Sequence, residues 1–432
     1  LKIKLPEQPF EYVTDNSAEC DAKTAFLLTS QNAKYAAHAK ENNAHSVINI
    51  TDIAPLFGVD KIKIIGITGT NGKTTVASAI YSFLLDLGYK AAMQGTRGFF
   101  MNDTVAEGKS LTTPSVLHTY KHIYQAVEAG CEYFIMEVSS HSIVQERIEG
   151  LGFALKILTN ITQDHLDFHK SIEEYIAVKN SFFADESQKL INKDEPRASF
   201  NIKNAFTYGI ENPATYKLMA YSLNEASSGI IKHFEQIVPF TSSLHGFFNL
   251  YNLLAAIAAV HILTKKSLEE IAEVVDNFAG VSGRMEQVSQ EPNVIVDFAH
   301  TPDGMAQVLN ALKEKELLVV FGAGGDRDRT KRPLMGRIAA TLAKKVFITS
   351  DNPRTEDPQA IVDDILSGIE EKSNVVVELN RRKAIEAALK EQKEDEVVVI
   401  LGKGDENYQI IYDQKLPFDD REVVREILGI HS

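Results

Sequence analysis

The sequence predicts an α/β protein of three domains: a small N-terminal α/β unit over residues 1–60, a central P-loop-type parallel-sheet domain over 61–282, and a C-terminal doubly wound, Rossmann-like domain over 283–432. Three observations predict this. A β-branched run over 62–67 breaks into Gly69-Thr70-Asn71-Gly72, and Lys73-Thr74-Thr75 then opens a helix. Beyond residue 283, short apolar runs alternate with helical stretches, and polar residues follow the strand ends. The length, 432 residues, exceeds what a single core usually serves, so the chain should divide.

In the N-terminal unit, apolar stretches over 24–28 and 46–50 read as strands, with a helix over 33–42 between them. So small a unit is marginal alone and should lean on the central domain. In the central region, Val76, Ala79, Ile80, Phe83, Leu84 and Leu87 keep helical spacing behind the glycine loop. A polar loop over 109–114 precedes a helix over 116–129. A buried strand over 133–138 delivers Glu137, followed by Ser139-Ser140-His141. The next strand, 154–159, ends at Asn160 and releases a polar loop that holds Asp164, His165, Asp167 and His169. Residues 185–240 are less periodic and suggest a smaller antiparallel patch, and a helix over 249–263 closes the region. The C-terminal region reads as strands over 294–298, 317–321, 346–349, 375–379 and 397–401, with helices over 302–313, 333–343, 358–369 and 381–389 between them. Asp357-Pro358 is a helix start, a capping carboxylate ahead of a proline in the first turn.

Hydrophobic residues at 44% and charged residues at 24% are ordinary for a soluble globular chain. A net charge of −14 argues against a nucleic-acid partner, while the cluster Arg327, Arg329, Lys331 and Arg332 suits a small anion. Only Cys20 and Cys131 are present, too few for a disulfide framework, which points to a reducing cytoplasm. The first residues carry no apolar core of signal-peptide length, and the apolar run over 247–263 contains Asn249, Asn252 and His261. It therefore reads as a buried helix, and no membrane insertion is expected.

The residues that carry chemistry sit at those strand ends. Glycines let backbone N–H groups close on a phosphate, the helix N-terminus adds partial positive charge, and Lys73 adds a full one. Ile67 stands where the common P-loop has its first glycine, and Gly66 lies one residue too early. Thr74 and Glu137 suit magnesium, and His165 suits a metal or a phosphate. Lys179 reads by spacing alone as a solvated helix lysine. Asn249 and Asn252 share a helix start and serve either a nucleotide base or capping. Arg284 lies at the junction between regions, within reach of a phosphate. In Asp351-Asn352-Pro353-Arg354, an acid, an amide and a guanidinium lie within one turn, held either for local hydrogen bonds or for a ligand. With Arg327 and Glu406 on the same edge, the ligand would be a zwitterion such as an amino acid.

These fragments resemble the Mur ligase family, in the family's own order over nearly the whole chain: GTNGKTT, LTTP, MEVSSH, IVQER, TNITQDHLDFH, GRME, DFAHTPD, GGDRDRTKRPLMG, DNPR and GKGDENYQ. The resemblance is to the branch that adds the third residue of the peptidoglycan stem peptide, and DNPR resembles the form found with meso-diaminopimelate rather than lysine. It implies ATP on Gly69, Thr70, Asn71, Gly72, Lys73, Thr74 and Thr75, with Asn249, Asn252, Arg284, Asp297 and His300 on the nucleotide side. It implies magnesium on Thr74 and Glu137, and a second ion on His165 and on Lys179 as a carbamate, which reverses the reading of Lys179 by spacing. It places a UDP-N-acetylmuramoyl-L-alanyl-D-glutamate substrate on Thr112, Thr113, Ser139, Gln145 and Arg147, and diaminopimelate on Arg327, Asp351, Asn352, Arg354, Gly402 and Glu406. Two departures stand out. The family's early Asp-Ser-Arg appears as Asp15-Asn16-Ser17, leaving Asn16 and Ser17 as the uridine contacts, and Asp405 replaces a frequent histidine.

The implied activity is an ATP-dependent amide ligase acting as a cytoplasmic monomer, its domains apart when unbound. A lysine-adding relative, a folylpolyglutamate synthetase-like ligase and a nucleotide-hydrolysing switch are the alternatives.

Overall fold

The computed structural model describes residues 1–5, 8–223 and 227–430. Its strands fall into a four-stranded N-terminal sheet, an eleven-stranded central sheet, a six-stranded C-terminal sheet and one two-stranded hairpin.

The central sheet places the strand Lys63–Thr68 between Tyr133–Glu137 and Phe153–Leu158, parallel to both. Side chains alternate across it. Ile65 and Ile67 enter the core beneath the helices Lys73–Asp86 and Phe247–Thr264, whereas Ile64 enters the core on the opposite face with Ile123 and Phe134. A strand covered on both faces needs an unbroken apolar run, which is what the sequence supplies. The three carboxyl ends therefore lie side by side and present Gly69, Val138-Ser139 and Thr159-Asn160 at one edge. The helix Phe247–Thr264 is long and apolar enough to cross a membrane, but it lies buried in this core.

Residues 185–240 meet expectation in part. Among the described residues, Tyr216–Ser222, Ser227–His233 and Gln236–Ser242 do pair antiparallel, whereas Lys189–Asn192 and Ala205–Gly209 run parallel and join that patch to the central sheet. Tyr208, Tyr216 and Leu218 join the core beneath the long helix, and that burial decides the arrangement. On the other side, Ala91–Gly95, Gly98–Met101 and Thr104–Glu107 add a meander absent from the sequence reading. Its second turn is Asn102-Asp103, both with positive φ (45° and 70°), the conformation of a two-residue hairpin turn.

The C-terminal sheet runs Glu286–Ser289, Val294–Asp297, Glu396–Leu401, Glu316–Phe321, Lys345–Ile348 and Val375–Val377, parallel except for the first. Behind it, Arg381 and Asp420 form a fully buried pair, and the guanidinium also donates to the carbonyl of Leu401. The N-terminal unit shares its core with the central region, since Val13, Leu27 and Phe57 pack against Leu117 and Tyr120 of the helix Val116–Glu128. It leans on its neighbour, as its size requires.

Candidate active site

Gly69 has a φ of 149°, and a Cβ there would overlap Thr159 Oγ1, so the loop's approach to the neighbouring strand end demands glycine. Lys73 opens the helix and turns back over the loop, donating to the carbonyls of Gly69 and Thr70 at 2.8 and 2.9 Å. Burial holds its ammonium below the usual lysine range, against the pull of Glu137 and Asp164. Thr74 Oγ1 donates to Glu137 Oε2 at 3.0 Å, while Glu137 Oε1 accepts the Thr96 N–H at 2.9 Å. Hydroxyl and carboxylate oxygens at the foot of a phosphate loop are the hard donor set magnesium takes.

The adjoining strand end shapes a second set of contacts. Thr113 Oγ1 donates to the carbonyl of Glu137 at 2.9 Å and accepts the Ser139 N–H at 3.1 Å; Arg147 donates to the carbonyl of Thr113 at 2.8 Å. Thr112 pairs with Thr96 at 3.0 Å. Gln145 ends the short helix Ser140–Val144, and none of these contacts draws on its side chain.

Across the cleft, the C-terminal sheet edge supplies its own charges. Asn352 Nδ2 donates to Glu406 Oε2 at 3.0 Å, and buried Lys403 donates to the same oxygen at 3.1 Å. Arg354, with a φ of 51°, donates to the carbonyl of Gly325 at 2.6 Å. A Cβ on Gly402 would press on Asp351 Oδ2, so glycine there lets the acid approach the neighbouring strand end.

Two cavities of about 360 and 280 Å³ meet at the phosphate loop. The larger is lined by Asn249, Asn252, Arg284 and Asp297. Burial raises the Asp297 carboxyl above its usual range, against the effect of Arg284. The smaller cavity has Lys73, Thr74, Glu137 and His165 on one wall and Arg327, Asp351, Arg354 and Glu406 on the other. Asn71 and Gly72 line both. The central and C-terminal domains meet over this space: Asn71 Nδ2 donates to Asp303 at 2.8 Å, Lys331 meets Asp164 at 3.5 Å and Lys109 meets Asp405 Oδ2 at 3.1 Å.

Several expectations need correction. Lys179 is no solvated lysine. Its side chain is buried, its ammonium donates to the carbonyl of Gly69 at 2.9 Å, and it lies over the ring of Tyr175 at 4.7 Å. Burial, with Lys73 nearby, drives its pKa well below the usual value. The cationic cluster splits: Arg332 and Arg329 pair with Glu356 and Asp364, leaving Arg327 and Lys331 facing the cavity. Capping does not occupy Asn249 and Asn252, because Gly246 caps that helix. Asn249 donates to the carbonyl of His245, and Asn252 Nδ2 donates to Asn249 Oδ1. Asn16 caps a short turn by accepting the Ala18 N–H, and Ser17 meets His38; neither lines these two cavities.

Sequence reasoning passed over Asp164 in favour of its neighbour. Burial alone would raise its carboxyl, yet His165 at 3.3 Å, Lys331 and His300 hold it well below the ordinary range. The charge excess gathered around it is visible only once the domains are folded together. His165 itself is shifted down to about 3 by burial, against Asp164.

Residues 67–260 match the Mur ligase middle domain, and residues 283–404 match the Mur ligase glutamate ligase domain. A relative from Wolinella succinogenes, UDP-N-acetylmuramoyl-L-alanyl-D-glutamate--2,6-diaminopimelate ligase, is 53% identical over 429 residues, 99% of this chain and 99% of its own. The chain belongs to the Mur ligase family. A solved structure of a diaminopimelate ligase of the same name superposes with a TM-score of 0.67 at 30% identity, covering 99% of this Mur ligase and 96% of that chain. Folylpolyglutamate synthase of Mycobacterium tuberculosis, complexed with ADP and AMPPCP, gives a TM-score of 0.67 at 15% identity, covering 88% of this Mur ligase and 94% of its own chain; at that identity the likeness is one of fold.

Proposed function

We propose that this Mur ligase joins meso-diaminopimelate to UDP-N-acetylmuramoyl-L-alanyl-D-glutamate, with ATP as co-substrate. The observation that carries the reading is the smaller cavity, whose walls offer a phosphate grip and a mixed-charge pocket to one enclosed space. The free γ-carboxylate of the D-glutamate attacks the γ-phosphate of ATP, giving an acyl phosphate and ADP. The amine of diaminopimelate then attacks the acyl carbon, the amide bond forms, phosphate leaves and the amine gives up a proton.

The chain's residues divide this work. Backbone N–H groups over 69–75 and the Lys73 ammonium hold the triphosphate, where positioning and charge neutralisation do most of the catalysis. Asn249, Asn252, Arg284, Asp297 and His300 serve the nucleotide side. Thr112, Thr113, Ser139, Gln145 and Arg147 hold the UDP-dipeptide, with Asn16 and Ser17 of the N-terminal domain toward the uridine. Magnesium held by Thr74 and Glu137 would neutralise charge between phosphates and carboxylate. His165, with Lys179 as a carbamate, would hold a second ion. The buried, pKa-depressed Lys179 supports this, because a neutral amine is the form that takes up carbon dioxide. Arg354 and Arg327 receive a carboxylate of the diamino acid, and Asp351 and Glu406 its ammonium. Closure of the C-terminal domain excludes water from the acyl phosphate. The working unit in this reading is a monomer, acting in the cytoplasm where its nucleotide co-substrates are.

The test is ATP turnover with and without the UDP-dipeptide, and with diaminopimelate set against lysine. Turnover that needs both the dipeptide and diaminopimelate is expected. Equal use of lysine would make this a lysine-adding relative, and strong turnover with nucleotide alone would make it a hydrolysing switch.

A further inference from the structure

Away from both cavities, Glu107, His118 and His122 bring three ligand atoms within 4.8 Å of one another. His118 and His122 lie four residues apart on the helix Val116–Glu128, so both project from one face, and Glu107 ends the strand Thr104–Glu107 beside it. Glu107 Oε2 is 2.9 Å from His118 Nε2 and 3.0 Å from His122 Nε2.

The hydrogen bonds behind His122 set its tautomer. Gln94 Nε2 donates to Thr119 Oγ1 at 3.2 Å, which turns Gln94 Oε1 toward His122 Nδ1 at 2.6 Å. In the neutral ring the proton sits on Nδ1, which leaves Nε2 as the nitrogen turned to the carboxylate. The ring is 1% exposed and stacks on Phe99 at 4.0 Å, so its plane is held. Three ligand atoms thus face one another, with Gln94 behind His122 and Lys121 behind Glu107.

We propose that Glu107, His118 and His122 form a binding site for a divalent transition ion of the zinc type. Two imidazoles and one carboxylate are zinc's donors, whereas magnesium takes oxygen, so this chemistry differs from that of the active site. Tetrahedral zinc with bonds of about 2.0–2.2 Å sets its donors roughly 3.3–3.6 Å apart. The two N–O separations would widen by a few tenths of an ångström, and the two histidine nitrogens, within 4.8 Å of each other, would draw in to the same spacing. Lys121 Nζ donates to Glu107 Oε1 at 2.5 Å, which fixes the carboxylate and leaves Oε2 to the ion. The half-buried Glu107 and His118 give the ion a way in and a water-filled fourth position. Because Glu107 and His118 bracket residues 108–117, the ion would fasten both ends of the segment that carries Lys109, Thr112 and Thr113.

The experiment strips the full-length chain with a chelator, adds zinc chloride under excess magnesium chloride, desalts, and counts zinc by mass spectrometry. Cobalt substitution followed by visible absorption reports the geometry. One zinc per chain and tetrahedral cobalt bands are expected. His118→Gln, at a half-exposed position, should weaken retention by about tenfold or more while the metal-free fold, checked by circular dichroism, stays the same. His165→Gln should retain the zinc. Failure of the parent chain to hold zinc would overturn the proposal and leave Glu107 as the partner of Lys121 alone. So would retention by His118→Gln with loss in His165→Gln, which would place the ion among the active-site histidines.

Discussion

Asn71 of the phosphate loop donates through Nδ2 to Asp303 Oδ2 at 2.8 Å, and Asp303 lies in the first turn of the C-terminal helix Pro302–Ala311. The glycine loop thus also holds the facing domain. A hydrogen bond to a charged group contributes about 1.5–3 kcal/mol. Asp303→Ala should therefore lower kcat/KM for the diamino acid by about tenfold or more and leave nucleotide affinity nearly unchanged. Small-angle scattering should show less compaction on adding ATP and the UDP-dipeptide. A variant that compacts as fully as the parent would remove this pair from the closing motion.

Arg354 is held by the carbonyl of Gly325 at the wall opposite Lys73. Arg354→Ala should reduce turnover with diaminopimelate by roughly ten- to a hundredfold, the value of a charge-assisted contact to a carboxylate. ATP binding should hardly change. An unaltered preference between diaminopimelate and lysine would take Arg354 out of substrate selection.

Glu137→Gln keeps the shape that accepts the Thr96 N–H but removes the charge beside Thr74. The magnesium concentration for half-maximal rate should rise by about tenfold or more. Titration of the rate against magnesium checks this; a curve that overlies the parent's would assign the ion to other ligands.

Lys179 makes stability depend on pH with a defined sign. Its folded pKa lies well below the lysine value of 10.5, so between the two the unfolded chain binds the extra proton. Stability from this group is therefore least at low pH and grows as pH climbs toward 10.5. In buffers freed of carbon dioxide, urea midpoints from about pH 7 to 10 should rise for the parent relative to Lys179→Met. Parallel profiles would show that the amine is charged in the folded protein.

Much of this was legible from the residues. The run over 62–67 and the polar residues at successive strand ends foretold a parallel sheet with a ligand edge, because a doubly covered strand needs continuous apolar side chains. What stayed hidden depends on partners distant in the chain. Lys179 and Asp164 look solvated in sequence, and only the packing of Tyr175, Gly69 and Lys331 around them reveals their burial. Arg332 looks available to a ligand until Glu356 and Asp364 are seen to enclose it. The meander over 91–107 did leave a trace in Asn102-Asp103, a pair suited to positive φ.

Lys109, three residues before Thr112, grips Asp405 beside Glu406. The rim of the smaller cavity is thus stitched from the central domain to the C-terminal domain by a lysine and an aspartate. A neutral side chain at position 405 would keep the backbone carbonyl that Lys109 also meets and lose only the carboxylate, so the seam would weaken rather than vanish.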